Sequence, residues 1–456
     1  MPSLPKFSVM NASSMEIVNA IRKSASAQYQ QAVPLANSDI QSLRDVGTAI
    51  MAYEPLQNEF LSTLFNRIGR VIVTSKTFYN PWSAFKKGLM EFGETIEEIF
   101  VNIANAQDFD PETASEQFMK REIPDVRSAF HVMNYQKFYK VTVSNQELRQ
   151  AFLSWQGITD LISKIVESMY TAHNYDEFLM MKYCLAQNIV NGRMYLHTVP
   201  ELTKENITDI VTEVKKMSNS FVYLSDKYNE SHVYNHTPKN EQYIITTSDF
   251  DAMMDVNVLA TAFNMDKAEF MGHRIQVDSF GELDTERLKR LLGSAYVEIT
   301  AENIENLKAL PAILVDKDFF MIFDNLYEFT EDYNGQGLYW QYWYHAWKTF
   351  SCSPFANACV FNTKEGTVTG IEITPSSIVA NLNSVYDINV KVNGTGFFNH
   401  DYEFEQAPDQ SEYTQYLGNG HIKILKESPS DSNRLFKSVA DSGKTATLTI
   451  DKTPTL

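Results

Sequence analysis

Two histidines, His232 and His236, stand four residues apart, a spacing that on a helix would hold a metal ion. They fall in a polar run, 231–239, with no carboxylate at metalloprotease spacing, so they read as solvent-exposed imidazoles. Glu94, Glu97 and Glu98 form an acidic group near Lys86 and Lys87. Paired carboxylates cleave glycosides when they flank a cleft about 5–10 Å across. Here they belong to a charged, arm-like segment, and salt bridging to a neighbouring subunit is the better use of them. Tyr339, Trp340, Tyr342, Trp343, Tyr344, Trp347 and Phe350 could stack on sugars, although a packed core is the stronger reading. The three cysteines, Cys184, Cys352 and Cys359, are odd in number and form no C-x-x-C. Free buried thiols in a reducing compartment are expected, without a disulfide framework or a zinc ribbon. H-E-x-x-H, a Walker A loop, G-x-G-x-x-G after a strand and G-x-S-x-G are all missing. No catalytic residue, metal or cofactor is expected, and the chain is read as not an enzyme.

The composition narrows the classes further. At 456 residues the chain has room for two to four folding units. With 44% hydrophobic and 21% charged residues each unit can bury a core, so wholesale disorder is excluded. Lys plus Arg is 39 against 57 for Asp plus Glu, a net charge of −18 that argues against a dedicated nucleic-acid binder, which needs a basic face. The 29 Phe and 23 Tyr supply more aromatic surface than one core requires, and with it contact anchors. Residues 1–10 carry one lysine and no long apolar run, so no signal peptide is expected. No stretch approaches the roughly 20 apolar residues of a membrane span. The protein is expected to remain in the cytoplasm or leave by lysis.

Several elements must position these groups. Ser13 or Ser14 caps a helix with Ile17, Ala20 and Ile21 on one face. Residues 33–45 are looser, since Pro34 interrupts any helix there. Phe60, Leu61, Leu64 and Phe65 fall in helical register over 56–68, and residues 71–73 begin a strand. Residues 74–100 read as a hairpin-like excursion with a basic tip, the form of a contact arm. Over 146–186, Trp155, Ile158, Ile162, Ile165 and Met169 step by three and four, with a break possible at Asn174. Further helices are expected at 207–217, 255–263, 266–272 and 282–308, and short strands at 312–315 and 319–323. The aromatic run is a strand. From Gly366 onward short strands alternate with turns, which suggests a β-sandwich of roughly 90 residues.

Taken together, 16–24 (EIVNAIRKS), 85–88 (FKKG), 95–99 (TIEEI), 255–260 (DVNVLA), 262–265 (AFNM), 314–318 (LVDKD), 337–340 (GLYW), 344–347 (YHAW) and 355–358 (FANA) resemble one family. It is the major capsid proteins of small short-tailed phages with protein-primed linear genomes. The tail is similar to group 2 bacterial immunoglobulin-like domains through 368–375 (VTGIEITP) and 388–392 (INVKV). The resemblance implies an α+β HK97-type capsid fold followed by an all-β immunoglobulin-like sandwich. It divides the chain into an N-terminal arm and helices at 1–73, an E-loop at 74–100 and a peripheral domain with its spine helix at 101–199. An axial domain at 200–338, a peripheral return strand at 339–365 and the immunoglobulin-like domain at 366–456 follow. The run 282–310 is longer and more helical than the family leads one to expect. The implied function is self-assembly, as hexamers and pentamers, into an icosahedral or prolate phage head around double-stranded DNA. A scaffolding protein and a portal are implied partners, packaged DNA is only weakly contacted, and no membrane is involved. The place is the virion, after assembly in the bacterial host cytoplasm. Phe78, Trp82, Phe85, Lys86, Lys87, Phe92, Glu94, Glu97 and Glu98 are the candidate inter-subunit contacts. A carbohydrate-binding or carbohydrate-active protein, and a tail or fibre component, remain alternatives.

Overall fold

A computed structural model describes residues 14–71, 78, 80–90, 95–104, 125–153, 167–257, 273–379, 381–382, 384–418, 420–426 and 431–451. Helical periodicity builds the first unit from Ser14–Ser24, Ala27–Ala32, Ile40–Met51 and Glu54–Val71. Asp39 caps the third helix by accepting from the amide of Gln41, which satisfies one of its orphan donors. Val18, Ile21, Leu43, Val46, Ile50, Phe60, Leu61 and Leu64 bury one continuous face. The third helix comes so close to Phe152 that a Cβ at Gly47 would lie 2.5 Å from the Phe152 Cβ, so only glycine fits there. Val71 ends a helix instead of opening a strand, because Glu54–Val71 continues the apolar period past position 68. Residues 72 and 73 lie outside the described residues, as do 258–272, where most of two expected helical turns fall.

The N-terminal helices cover a four-stranded sheet in the order β1-β9-β10-β4. Its strands are β1 Lys86–Leu89, β4 Tyr135–Ser144, β9 Phe320–Asn334 and β10 Tyr339–Cys352; β2 Ile96–Val101 and β3 Val126–His131 form a separate ribbon. Trp340, Tyr342, Tyr344 and Ala346 alternate along β10 into the core beneath the helices. Ser144 and Glu147 form a capping box that starts the helix Asn145–Ala151 directly after β4. Residues 154–166, inside the long helix expected at 146–186, lie outside the described residues. Beyond them the chain is helical through Glu167–Thr171 and Ala172–Val190, so Asn174 lies inside a helix and marks no break. This helix is buried on nearly every side, polar residues His173, Asp176, Glu177 and Lys182 included.

A second sheet runs β5-β11-β8-β6-β7, from β5 Tyr195–Thr198, β6 Gln242–Thr247, β7 Arg274–Val277, β8 Ala312–Asp316 and β11 Ala358–Asn362. Helix Ile207–Ser220 packs Ile207, Ile210, Val214 and Met217 on it beside helix Ser248–Asn257. The expected helix at 282–308 is two helices, Thr285–Leu292 and Ala301–Lys308. Gly293, at φ 56°, supplies the left-handed residue that stops the first. The chain returns to the first sheet at Phe320 rather than at 339: the expected short strand at 319–323 is the start of the 15-residue β9. Its second half is polar because it pairs at a solvated sheet end, which hides it from an apolar pattern.

From Thr367 the described residues form strands and turns, with one short 3-10 helix at Pro408–Gln410. A two-stranded, a four-stranded and a three-stranded sheet enclose Ile378, Ile388, Ile422, Ile424, Phe436, Leu448 and Ile450, an arrangement consistent with a sandwich. The region is not detached. Phe397 is buried in the same core as the long helix and β8, and Asn362 donates to the Phe397 carbonyl at 3.3 Å. A Cβ at Gly192 would strike the His400 ring, so the turn after the long helix meets the strand region in close contact.

Candidate inter-subunit contact surface

The ribbon leaves the body from a buried root. Asn80 accepts from the amide of Trp82 at 2.9 Å and donates to Glu177 at 2.6 Å. Trp82 is fully buried, with Phe178 and Phe320 both at 5.6 Å. Phe85 is buried against Phe320 at 4.7 Å and Tyr243 at 5.1 Å, and half-buried Phe78 packs on Tyr175 and Phe178. Trp82 and Phe85 therefore fill this subunit's own core and offer no surface to a neighbour, which corrects the expectation of both as contacts. Their sockets come from residues about 100 and 235 positions away, beyond the reach of local pattern.

The basic tip is not a tip. Lys86, on β1, lies 2.9 Å from Asp324 and 3.2 Å from Glu177. Lys348, with no exposed side-chain surface, meets the same two carboxylates, Asp324 at 2.7 Å, and donates to the Tyr327 hydroxyl at 2.7 Å. Two ammonium groups and two carboxylates thus neutralise one another in the core, joining β1, the long helix, β9 and β10. Burial alone would raise both carboxyls, but Lys348 and Lys86 more than offset it and hold Glu177 and Asp324 below the usual carboxylate range. Lys87 pairs with Asp318 of its own chain and donates to the Lys317 carbonyl at 3.2 Å. The cross-subunit pairing expected of Lys86 and Lys87 is satisfied within the subunit.

Next to this cluster His173 is buried, and its Nδ1 has no hydrogen-bond partner. Burial, then the charge of Lys348, push its pKa down to about 3. A histidine neutral in the fold and protonated when unfolded stabilises fully above its ordinary pKa of 6.5, and that stability is lost as pH falls below it. Unfolding free energy is expected to drop by about 1.4 kcal/mol per pH unit between roughly pH 6 and 4.5 from this residue. His400, lowered by burial, acts in the same direction. Denaturant titrations against pH check this: H173Q must flatten the slope, and an unchanged slope removes His173 from the effect.

β2 and β3 pair antiparallel in the register Glu97↔Phe130, Ile99↔Ser128 and Val101↔Val126, so these six side chains share one face. The opposite face is seated on the body. Ser353 donates to Glu98 at 2.7 Å, His131 bridges Glu98 at 3.1 Å and Ser351 at 2.8 Å, and Phe100 stacks on Phe355 at 5.7 Å. Arg127 donates to the Ser231 carbonyl. The free face carries Ile99, Val101, Val126 and Phe130 at 57, 61, 53 and 63% exposure. Ile103 and Val132 extend it at 51 and 59%. This aliphatic stripe is the kind of patch that marks a partner surface.

Of the expected contacts, only Glu97 lies on the free face, Glu98 is bonded beneath it, and Phe92 and Glu94 lie outside the described residues. The ribbon is built from Ile96–Val101 and Val126–His131, so of the expected excursion at 74–100 only its last five residues lie in it. Ile99, Val101, Val126 and Phe130 were missed, although alternation within TIEEIFV and VRSAFH carried the signal. His232 sits 3.5 Å from Asp401, His236 is exposed, and no group of three metal ligands occurs among the described residues.

The model of the Phi29-like phage major capsid protein family matches residues 18–362. The chain belongs to this family. It is 33% identical over 373 residues to the major capsid protein of Bacillus phage B103, covering 81% of this chain and 77% of that one. With the major capsid protein of Bacillus phage PZA it shares 32% over 438 residues, 94% of this chain and 90% of that one. A chain from the structure of the head fiber and inner core protein gp22 of bacteriophage P68 superposes with TM-score 0.50 at 16% identity, covering 63% of this chain and 86% of that chain. That likeness concerns the fold alone. The body is thus an HK97-type capsid fold. As a phage major capsid protein the chain self-assembles into the phage head, and its place is the virion. No helix among the described residues is long and apolar enough to cross a membrane.

Proposed function

We propose that the free face of the β2–β3 ribbon is the main adhesive of the head. One observation carries this: a ribbon clad on one face by its own body presents four large apolar residues on the other. Neighbouring copies cover them, in hexamers and pentamers of a closed icosahedral or prolate shell around double-stranded DNA. Each contact is modest, and closure makes the set strong because later contacts form at high effective concentration. The net charge of −18 supports a wall that holds the packaged genome only weakly. A scaffolding protein and a portal complete the assembly, which takes place in the host cytoplasm without a membrane. The role is structural, and no catalysis is assigned. Size-exclusion chromatography with negative-stain imaging of the full chain tests this. Megadalton closed particles are expected, whereas polysaccharide-binding monomers or small rings would point to the carbohydrate or tail readings.

The C-terminal strands are read as an immunoglobulin-like module on the outer surface. A chain ending at 365 is expected to assemble still. Its body loses the seated Phe397 ring, which at the usual cost of a lost core aromatic lowers subunit stability by about 3 kcal/mol. Imaging and denaturant unfolding of the truncated chain check both parts, and complete loss of particles would remove the add-on role.

A further inference from the structure

Two of the three thiols meet. Cys184, in helix Ala172–Val190, has its Sγ 3.5 Å from the Sγ of Cys352, the last residue of β10, although 168 positions separate them. Both are free and half-buried, while Cys359 is buried on β11 and donates to the Val360 carbonyl at 3.9 Å. Asn188 donates to the Cys184 carbonyl at 2.8 Å, which fixes the helix turn that presents this sulfur. Arg193 and Glu230 form an ion pair at 3.4 Å, and their charges act on the thiols. The hydrogen bond with Cys352 lowers the Cys184 pKa, so Cys184 is the better nucleophile, and burial raises that of Cys352.

We infer that Cys184 and Cys352 are an oxidative cross-linking site, closed by a small peroxide once the protein leaves a reducing cell. The Cys184 thiolate attacks one peroxide oxygen. A sulfur–oxygen bond forms, the oxygen–oxygen bond breaks, and the hydroxide that leaves takes up the proton Cys184 had lost and becomes water, giving a sulfenic acid. The Cys352 sulfur then attacks the Cys184 sulfur, and hydroxide leaves and takes up the Cys352 proton as water. In sum two thiols and one peroxide give one disulfide and two waters, with sulfur oxidised and peroxide oxygen reduced. The bond would tie helix Ala172–Val190, which carries Glu177, to the end of the β9–β10 hairpin, whose strands carry Asp324 and Lys348. A link closing so long a loop strongly restricts the unfolded chain.

The test treats the purified full-length chain with hydrogen peroxide at equimolar and severalfold excess, alkylates free thiols after unfolding, and maps peptides without reduction. The expected result is a Cys184–Cys352 peptide pair within one chain, two hydrogens lighter than its reduced parts, with Cys359 alkylated. The melting temperature should rise by several degrees and fall back with dithiothreitol. C184S and C352S should each abolish both the pair and the redox-dependent shift, and C359S should keep them. Alkylation of both Cys184 and Cys352 after peroxide, or their separate conversion to sulfinic acids, overturns the inference. The wild-type map decides the matter even if a variant fails to fold.

Discussion

Replacing Ile99 and Phe130 together by serine will give a subunit that folds and does not close into shells. Both side chains stand on the free face of the β2–β3 ribbon, 57 and 63% exposed. Serine keeps the ribbon's backbone pairing, and the seated face retains its Glu98, His131 and Phe100 contacts. Burial of each side chain against a neighbour is worth about 1.5–3 kcal/mol, so the double change removes about 3–6 kcal/mol from every such contact. That is at least a hundredfold, roughly, in each contact's equilibrium constant, repeated at every step of growth. Chromatography and imaging read the assembly, and a melting curve of the monomer reads the fold. Normal particles at unchanged yield would take the ribbon face out of the mechanism.

The second large effect is expected inside the subunit. Lys348→Met leaves Glu177 and Asp324 facing Lys86 alone, with one buried carboxylate charge uncompensated. Breaking a buried pair from one side costs about 3–5 kcal/mol, well above the 0–1 kcal/mol of an exposed pair. Denaturant unfolding should show a loss of that size, and adding Glu177→Gln should recover part of it by restoring charge balance. A single-variant loss under about 1 kcal/mol would mean that water already screens the cluster. The same logic changes what Lys86→Glu would do. It would place a third carboxylate against Glu177 and Asp324 and unfold the root of the ribbon, so a failed assembly of that variant would report on folding and not on contact between copies.

These two effects mark where the sequence could and could not be read. The amphipathic helices were legible because Ile21, Phe60, Leu61 and Leu64 repeat at helical spacing and the core receives them, although the first helix buries Val18 beside Ile21 and leaves Ile17 and Ala20 half-buried. β10 was legible because its aromatics alternate. The charged root was misread for the opposite reason. Two lysines beside a glycine look solvated, and only Glu177 and Asp324, brought in from helix Ala172–Val190 and β9, draw Lys86 inward. Trp82 and Phe85 were misread in the same way: an apolar residue in an irregular segment does not say whose core it fills. The ribbon face was within reach, since its strands alternate, but its second strand follows more than twenty residues after the first and the pairing is not a local signal. The strand-rich end was recognisable from its turns. Its seat in the body was not, because nothing in the Phe397-Phe398 pair says that the first ring fills the body's core while the second packs on the strand region.

A reconstruction of the assembled head at side-chain resolution tests the central claim most directly. The expected map has the free face of each β2–β3 ribbon, Ile99, Val101, Val126 and Phe130, covered by an adjacent copy, with Lys86 and Lys348 still bound to Glu177 and Asp324 of their own chain. A closed shell in which those four residues face solvent would contradict it.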